Sequence, residues 1–513
     1  MLLICGAMLP DFETGTTTQA DVLIRDGRFA AIASHLEADC PIVEASGLLM
    51  LPGMADLHTH MVQSLTQGPL DDLNITQWLT RMLRAQWSLT EDEWYYGVLL
   101  GCLRSIRYGV TAINEMTYYP HIDAVVQAYQ DAGLRATFGI GATDIAENDQ
   151  IRVTPVDECL RQEELYHKWH GRGLLRTAAV PQGRPACTPE LMRALKQFAR
   201  ERGLLYHTHL AEGKAETERI RAWTGRGEAE ELAHLGVLDE STILAHSIWL
   251  TQEEITLLAQ SHAVVAHCPS TNMKLSDGAP PIAELLASGA RVGFGCDGEA
   301  SSANRDLLRE ARLGSYLQKV RTLDPTVLPA GQCYAMLTEQ GMRALGYRDV
   351  GRIAEGWQAD FSLVRTETLC TVNRRRILTN LLYAGSGEQI DSAVGDVLDG
   401  VFVIPSSTAS SSKKFQLKVD DSGTITAPAL PEGAQYWQCN GKHVMPGEQF
   451  SYDQLDDWLC PSVDIDDGTG THRTTGALWP SPAIRPTSTT TPTTQRSRPT
   501  QCLTAASAWC PAP

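Results

Sequence analysis

The stretch LPGMADLHTH (residues 51–60) decides the fold, because it joins an apolar turn to a short strand that ends in two histidines. Side chains two residues apart lie on the same face of a strand, so the imidazoles of His58 and His60 can point into one cavity. An H-x-H pair can bind a metal ion, but on its own it is more often an ordinary surface or core pair. The choice between these interpretations depends on how the other strands end.

Histidines or acids also end four other apolar runs. These are YHTHLAE (206–212), TILAH (242–246), VVAH (264–267) and VGFGCD (292–297). The C-terminal ends of barrel strands converge at one mouth, where active sites are built. Because unpaired His and Asp side chains are costly to bury, five unrelated core positions are the weaker explanation. The pattern therefore predicts one cluster of polar side chains.

Between residues 51 and 365 the chain alternates short apolar or β-branched runs with amphipathic helical stretches, which is the pattern of βα units. Eight candidate strands lie at 53–60, 110–115, 136–141, 174–181, 204–210, 241–246, 263–267 and 291–297. Helices such as 189–202 and 251–260 are predicted between them from their caps and their three- and four-residue apolar spacing. The sequence thus predicts an α/β fold with a (β/α)8 TIM barrel.

The flanks of this barrel show short alternating strands instead. Residues 20–50 alternate around an Asp26-Gly27 turn, and residues 360–364 resume the pattern, so both arms are expected to pair into one small β-domain. The predicted domains are an N-terminal arm at 1–54, the barrel at 55–349, a C-terminal arm at 350–404 and an atypical extension at 405–513. The extension is rich in Ser, Thr and Pro from residue 471 and is expected to be disordered there.

Charge and cysteine content narrow the class of partner. The net charge of −18 would repel a nucleic-acid backbone or an anionic membrane surface. No apolar run approaches the roughly 18 residues of a membrane span. The 13 cysteines are scattered without C-x-x-C pairs, which argues against a disulfide framework. We therefore expect a cytoplasmic protein that acts on a small molecule and binds neither nucleic acid nor a membrane.

The predicted cluster contains the donors that a borderline divalent ion prefers. Three imidazoles and one carboxylate suit zinc, or iron, and leave one position for water. Such an ion lowers the pKa of its water to around 7. A carboxylate and an imidazole must then carry protons to the leaving group, and Glu212 and His246 fit this role.

Five motifs, in this order, resemble the amidohydrolase superfamily, specifically its cytosine/guanine deaminase and triazine-hydrolase branch. They are LPGMADLHTH (51–60), HTHLAE (207–212), LAHSIWL (244–250), HCPSTNMKLSDGAPPI (267–282) and VGFGCDGEASSAN (292–304). The similarity runs from about residue 21 to the vicinity of residue 404. It implies the same barrel, a small β-sandwich built from both flanks, and a homodimer or higher homo-oligomer.

The resemblance also assigns roles within the cluster. It implies that His58, His60, His209 and Asp297 hold the metal. It implies that Glu212 and His246 are catalytic proton shuttles, with Asp297 as a further catalytic group. Binuclear relatives carry a carboxylated lysine at the end of the fourth strand, where this chain has VPQGR (180–184). One divalent ion is therefore expected.

Substrate contacts are expected from six residues, Gln63, Trp78, Gln86, Gln182, Arg184 and His267. Gln63 and Trp78 follow the first strand, where the family often forms part of the pocket, although ordinary helix packing is an alternative for both. Gln86 and Gln182 stand where thioether-nucleoside deaminases of this branch usually have glutamate and histidine. Arg184 could meet an oxo or acidic group. A free base, a pterin-like ring or an s-triazine therefore stands beside a nucleoside as the expected substrate.

For two histidines of the motifs, a structural role is an alternative to a role in the active site. His267 could contact substrate, or it could orient the neighbouring loop through Asn272. His207 alternates with His209 along the strand and is therefore predicted to point away from the mouth and to pack structurally.

The predicted reaction is hydrolytic deamination of an aminated N-heterocycle of purine, pyrimidine, pterin or s-triazine type. Metal-activated water attacks the ring carbon and ammonia leaves. A triazine-type chlorohydrolase would use the same groups with a halide leaving group, and a ring-opening cyclic amidohydrolase would yield a carboxylate. An inactive barrel that serves as an interaction scaffold is the non-enzymatic alternative, and the retention of Glu212 and His246 argues against it.

Overall fold

The computed structural model describes residues 1–68, 70–118, 121–145, 155–366 and 376–393, together with short strands between residues 424 and 475. The chain divides into two compact units, Met1–Ala409 and Ser410–Pro513. Among the described helices, none is both long and apolar enough to cross a membrane. The domain boundaries after residues 54, 349 and 404 stay predictions.

Strands from both flanks of the first unit form a seven-stranded sheet. They are β1 (Leu2–Pro10), β2 (Thr17–Arg25), β3 (Arg28–Ala33), β4 (Ile42–Glu44), β5 (Leu48–Pro52), β15 (Phe361–Arg365) and β16 (Ile390–Ala393). The order is β16-β15-β5-β1-β2-β3, with β4 beside β1. Because β15 pairs antiparallel with β5, the chain that follows the central strands completes the sheet begun by the chain that precedes them. Phe29, Met50 and Phe361 lie in the apolar core of this sheet.

Parallel strands make up the centre of the first unit. They are β6 (Met54–His60), β7 (Val110–Thr117), β8 (Arg135–Ile140), β9 (Leu175–Thr177), β10 (Tyr206–Leu210), β11 (Thr242–His246), β12 (Val264–His267), β13 (Arg291–Phe294) and β14 (Asp297–Gly298). They are arranged as β14-β6-β7-β8-β9 and β10-β11-β12-β13. Isolated parallel bridges from Ala179 to Tyr206 and from Gly183 to His209 join the chain after β9 to β10. The α/β class with parallel sheets is therefore as predicted.

Helices alternate with these strands along the chain. They are α1 (Ile75–Trp87), α2 (Glu91–Arg107), α3 (Ile122–Ala132), α4 (Pro155–Trp169), α5 (Pro189–Arg202), α6 (Lys214–Thr224), α7 (Glu228–His234), α8 (Gln252–Ser261), α9 (Pro269–Lys274), α10 (Ile282–Ala287), α11 (Glu299–Ser302), α12 (Leu307–Thr322), α13 (Ala330–Leu337), α14 (Glu339–Ala344) and α15 (Ile377–Ala384). The predicted helix 189–202 coincides with α5. The helix predicted at 251–260 begins one residue later, because the Thr251 hydroxyl accepts from the backbone N–H of Glu254 and caps α8.

Two strands end at least three residues before the predicted end. The strand expected at 174–181 ends at Thr177, and the chain beyond it makes only isolated bridges. The strand expected at 291–297 ends at Phe294. Asp297 has a φ of 59°, outside the extended region, so β13 does not continue as a regular strand into it. Instead Asp297 and Gly298 form β14, which pairs with Thr59 and His60 of β6.

The second unit contains short antiparallel strands. β17 (Thr424–Thr426) pairs with β20 (Gln449–Ser451), and β18 (Tyr436–Cys439), β19 (Lys442–Val444), β21 (Leu459–Asp466) and β22 (His472–Thr475) form a four-stranded sheet. β22 falls within the stretch from residue 471 that is expected to be disordered, and it pairs antiparallel with β21. The remainder of that stretch lies outside the described residues.

Candidate metal centre and cavity

Four strand ends bring histidines and an acid together. Nε2 of His58 and Nε2 of His60, both on β6, lie 3.5 and 3.3 Å from Oδ1 of Asp297 on β14. A ring nitrogen of His209 on β10 lies within 4.8 Å of nitrogens of both histidines. His246 ends β11, with its Nε2 3.9 Å from Oδ2 of Asp297. His58 and His60 are therefore within reach of both His209 and Asp297 at one end of the parallel strands.

Backbone carbonyls fix the outer nitrogens of two of these imidazoles. Nδ1 of His60 lies 2.7 Å from the carbonyl oxygen of Met116, and Nδ1 of His209 lies 2.6 Å from that of Gln182. Because a carbonyl oxygen only accepts, both Nδ1 atoms carry the ring proton. Both Nε2 atoms then keep a lone pair that can bind a metal ion.

A second histidine supports His58. Nδ1 of His58 lies 2.8 Å from Nε2 of His207, and both side chains are fully buried. The sequence indicated structural packing for His207, whereas the structure makes it a hydrogen-bond partner of a predicted ligand. The second H-x-H motif (207–209) was the only sequence feature that drew attention to His207, because it places this residue on the same strand as the predicted ligand His209.

The inner atoms of the cluster fit a bound cation. Nε2 of His58 and Nε2 of His246 are buried and have no hydrogen-bond partner among the described residues. Burial lowers the pKa of His58, His60 and His246 and lowers that of His209 to about 3, which keeps the four imidazoles neutral. Burial alone would raise the pKa of Asp297, but the surrounding imidazoles, His58 first among them at 3.5 Å, hold it well below its usual value. Neutral imidazoles around a carboxylate are a donor set typical of zinc.

Glu212 and His246 form an acid–imidazole pair beside the cluster. Oε1 of Glu212 lies 3.4 Å from Nε2 of His246. On the other side of the ring, Nδ1 of His246 lies 2.9 Å from Oδ1 of Asn272. Burial raises the pKa of the Glu212 carboxyl well above its usual value, and the charges of Asp277 and Asp297 raise it further. Such a carboxyl can hold a proton near neutral pH and release it to a neighbour.

A fully buried arginine lies behind the cluster. Nη1 of Arg305 donates to the carbonyl oxygen of Asp297 at 2.7 Å and to Oγ1 of Thr59, and Nη2 donates to the carbonyl oxygen of His60 at 3.0 Å. No sequence motif pointed to this residue. A single arginine after the last strand gives no motif, and only the folded chain brings it to β6.

A cavity opens onto the cluster between β-strand ends and α1. Its lining residues are Ile75, Thr76, Trp78, Leu79, Thr80, Met82, Leu83, Arg84 and Trp87 from α1, and His60, Gln63, Tyr118, Ile145, Gln182, Gly183, Pro185, Ala186, His209, Glu212, Glu216, Arg219 and Asp297 from elsewhere. Three expected substrate contacts, Gln63, Trp78 and Gln182, are among them. Oε1 of Gln63 is buried without a hydrogen-bond partner among the described residues. Tyr118 was not predicted, and its ring stacks on His60 with the centroids 5.7 Å apart.

Three other expected contacts lie outside this lining. Arg184 points to its own neighbours, since Nη1 donates to the carbonyl oxygen of Cys187 at 2.9 Å and Nε lies 3.4 Å from Oε1 of Glu231. Gln86 lies on the buried face of α1. His267 is fully buried, with its ring centroid 5.9 Å from that of Phe294. Position along the sequence located these residues near the mouth but could not give the direction of their side chains.

Comparison with known proteins gives consistent matches. Residues 49–394 match the model of a family described as "Amidohydrolase family". The chain is 34% identical over 401 residues to 5'-deoxyadenosine deaminase of Methanothermobacter thermautotrophicus, which covers 77% of this chain and 92% of the relative. It is 34% identical over 397 residues to 5-methylthioadenosine/S-adenosylhomocysteine deaminase 2 of Archaeoglobus fulgidus, with 77% and 91% covered. A solved adenosine deaminase from Xanthomonas campestris with bound zinc has a TM-score of 0.71 and 27% identity, covering 76% of this chain and 90% of that one.

Proposed function

Because the chain belongs to the amidohydrolase family, we propose that it is a metal-dependent hydrolase that deaminates an aminated N-heterocycle and releases ammonia. The observation that carries this proposal is the arrangement of the imidazoles. The outer nitrogens of His60 and His209 are bound by backbone carbonyls, while the Nε2 atoms of His58 and His60 lie beside the carboxylate of Asp297. The bond hydrolysed is then a carbon–nitrogen bond other than a peptide bond.

The parallel strands are proposed to close into a (β/α)8 barrel flanked by a small β-sandwich. The pairing of β14 with β6 and the bridges between the chain after β9 and β10 support a closed ring. A Cβ atom on Gly293 would lie 2.3 Å from Cδ1 of Leu57, so glycine is what allows β13 to approach β6 this closely. In such a barrel the C-terminal strand ends share one mouth.

One zinc ion would be held by Nε2 of His58, His60 and His209 and by the carboxylate of Asp297. Zinc bound there supplies Lewis-acid activation of water. The zinc in the Xanthomonas campestris structure supports this choice of metal. We propose a single ion, because VPQGR (180–184) offers no lysine for a bridging carbamate.

Glu212 and His246 would move the protons. The Glu212 side chain is only 15% exposed, so bulk water competes little for its proton. Its carboxylate takes a proton from the attacking water and delivers it to the ring nitrogen of the substrate. When the bond from carbon to the amino group breaks and the carbonyl forms, the second proton of the water passes to the amino group, which leaves as ammonia. The imidazole of His246, held by Asn272, and the carboxylate of Asp297 stabilise the tetrahedral carbon that results.

The heterocycle would bind between the cluster and α1. Trp78 offers an aromatic surface, and Gln63 and Gln182 place amide side chains in the cavity lining, a group that can both donate and accept hydrogen bonds. The relatives are named for adenosine derivatives, so 6-aminopurine nucleosides are the first substrates to test. Free aminopurines, aminopyrimidines, pterins and s-triazines complete the set.

The test combines metal analysis of the purified protein with an ammonia-release screen over these heterocycles. We expect about one zinc per chain and ammonia from at least one compound. A new carboxylate without ammonia would contradict deamination and indicate ring opening. Chloride release from a chlorotriazine, without ammonia, would indicate dechlorination. Metal bound by both wild type and Glu212→Gln with no turnover in either would favour the scaffold alternative.

A further inference from the structure

A buried arginine connects the two strands that carry three of the four proposed metal ligands. We propose that Arg305 is a positioning residue for the metal centre, an inference that rests on the proposed function. It fixes the backbone of β14 against that of β6, and thereby sets the position of the Asp297 carboxylate relative to His58 and His60.

The contact between β14 and β6 is short. It consists of the pairs Asp297–Thr59 and Gly298–His60. The guanidinium of Arg305 adds hydrogen bonds to both strands, to the carbonyl oxygens of Asp297 at 2.7 Å and His60 at 3.0 Å, and to the Thr59 hydroxyl. The planar fork of an arginine can serve acceptors on two strands at once, which a lysine ammonium on a flexible stem cannot hold in one geometry.

The backbone of Asp297 needs this support. Its φ of 59° lies in the left-handed region, where a non-glycine residue is strained and persists only if its surroundings hold it. The hydrogen bond from Arg305 to the Asp297 carbonyl holds one side of the residue. The backbone N–H of Gly298 donates to Oδ1 of Asp297 at 2.7 Å and holds the carboxylate. Loss of Arg305 therefore removes one of the contacts that hold the residue carrying the proposed carboxylate ligand.

The charge of Arg305 is compensated behind the cluster. Its Nε lies 3.6 Å from Oε2 of Glu299. Glu299 in turn lies 2.8 Å from Nη1 of Arg104 and accepts a hydrogen bond from the Ser64 hydroxyl. A fully buried guanidinium is costly unless it is paired and hydrogen-bonded. Arg305 lies between the two strands that carry the proposed ligands. The hydrogen bonds that offset the cost of its burial therefore also hold these strands together.

Arg135 offers a matched control. It is also a buried arginine on a parallel strand, β8. Its hydrogen bonds go to Asp360, at 2.8 and 2.9 Å, and to Gln358 at 2.7 Å. Replacing it also removes a buried guanidinium and leaves the buried Asp360 carboxylate without this partner, but at the opposite end of a different strand from the cluster.

The experiment compares wild type, Arg305→Met, Arg305→Lys and Arg135→Met. Zinc affinity is measured by competition with a chromophoric chelator, the geometry of the site by the visible absorption of the cobalt-substituted protein, and folding by circular dichroism and thermal unfolding. We expect Arg305→Met to bind zinc about 10- to 100-fold more weakly, with a changed cobalt spectrum. Arg305→Lys should regain part of the affinity. Arg135→Met should lose thermal stability but keep the cobalt spectrum and its zinc affinity to within about twofold.

Unchanged zinc affinity and cobalt spectrum in folded Arg305→Met would overturn the proposal, and so would an equal loss of affinity in Arg135→Met. If Arg305→Met does not fold, Thr59→Val and Arg305→Lys decide the question, because each disturbs the same hydrogen bonds more gently. Wild-type affinity in both of them would overturn the role of Arg305. A wild-type protein that binds no divalent ion would overturn the metal centre itself, which is a separate and visible result.

Discussion

Oε1 of Glu212 lies 3.4 Å from Nε2 of His246, where Glu212 follows β10 and His246 ends β11. Asn272 binds Nδ1 of the imidazole and thereby directs its Nε2 toward Glu212. An acid and an imidazole at this distance can exchange a proton without a large movement of either side chain. This pair separates proton transfer from metal binding and makes the two separately testable.

Glu212→Gln should abolish turnover and keep the metal. The amide cannot take a proton from water, and general acid–base groups typically contribute 10²- to 10⁴-fold, so we expect a loss of about that size in kcat. Glu212 is not among the four proposed ligands, so zinc content by elemental analysis should equal that of wild type. Activity within about tenfold of wild type would show that another group carries the proton.

His207→Leu should weaken metal binding without changing the proposed ligands. The leucine removes the hydrogen-bond partner of Nδ1 of His58, and loss of such outer contacts typically costs about 10- to 100-fold in metal affinity. His207→Gln is the matched control, because its amide oxygen can still accept from Nδ1. Equal zinc affinities for the two variants, in competition with a chelator, would contradict a supporting role for His207.

Removal of the metal should stop the reaction and destabilise the first unit. A ligand that binds only the folded protein stabilises it by RT ln(1 + [L]/Kd), or about 4 kcal/mol at 1,000-fold above Kd. Dialysis against a chelator should therefore lower the Tm and abolish ammonia release, and added zinc should restore both. An apoprotein that keeps the Tm of the loaded protein would argue against an ion bound by the buried cluster.

Glu310→Gln should change how stability depends on pH. Glu310, on α12, is fully buried, and burial raises the pKa of its carboxyl from 4.5 to about 7, although hydrogen bonds from Ser270 oppose the rise. The folded protein thus retains a proton that the unfolded chain releases near pH 4.5. The stabilising contribution is complete below that pH and is lost as the pH rises through about 7.

Urea unfolding of both proteins at several pH values, at one zinc concentration, measures this effect. Between pH 4.5 and 7.5, the free energy of unfolding of wild type should fall relative to Glu310→Gln by at most about 3 kcal/mol. Other buried carboxyls titrate in both proteins and cancel in the comparison. Parallel pH profiles would mean that Glu310 is ionised in the folded protein throughout this range.

Arg184→Met should affect stability rather than substrate binding. The guanidinium donates to the Cys187 carbonyl and pairs with Glu231, so its loss leaves buried groups unsatisfied, at a cost of about 1–3 kcal/mol. The KM for the best substrate should stay within about twofold of wild type. Trp78→Leu, in the cavity lining, is the comparison that should raise KM. A larger rise in KM for Arg184→Met than for Trp78→Leu would indicate that Arg184 contributes to substrate binding.

The alternating and the helical patterns of apolar residues predicted the main architecture. Each pattern arises because one face of a strand or helix is buried, so it records which element the segment forms. The strand ends at His60, Leu210, His246 and His267 agree with the predicted ends, and helix α5 agrees at both ends. Polar residues at strand ends were informative for the same reason, since a parallel sheet places all such ends at one edge.

Features set by contacts between distant segments were not predictable in this way. The break before Asp297 depends on a left-handed backbone that β14 and Arg305 stabilise, and nothing in VGFGCDG marks it. The orientation of Arg184 depends on Glu231, which lies 47 residues further along the chain. The part played by His207 became clear only from its distance to His58.

The contact between Thr59 and Asp297 joins residues 238 positions apart in the chain. When the first seven parallel strands, β6 to β12, have been synthesised, the chain contains the three imidazoles proposed as ligands. It does not yet contain Asp297 or Arg305. If the proposed ligands hold the ion, tight binding requires the chain at least as far as Arg305, so a fragment that stops before residue 297 should bind the ion weakly even though it contains the three histidines.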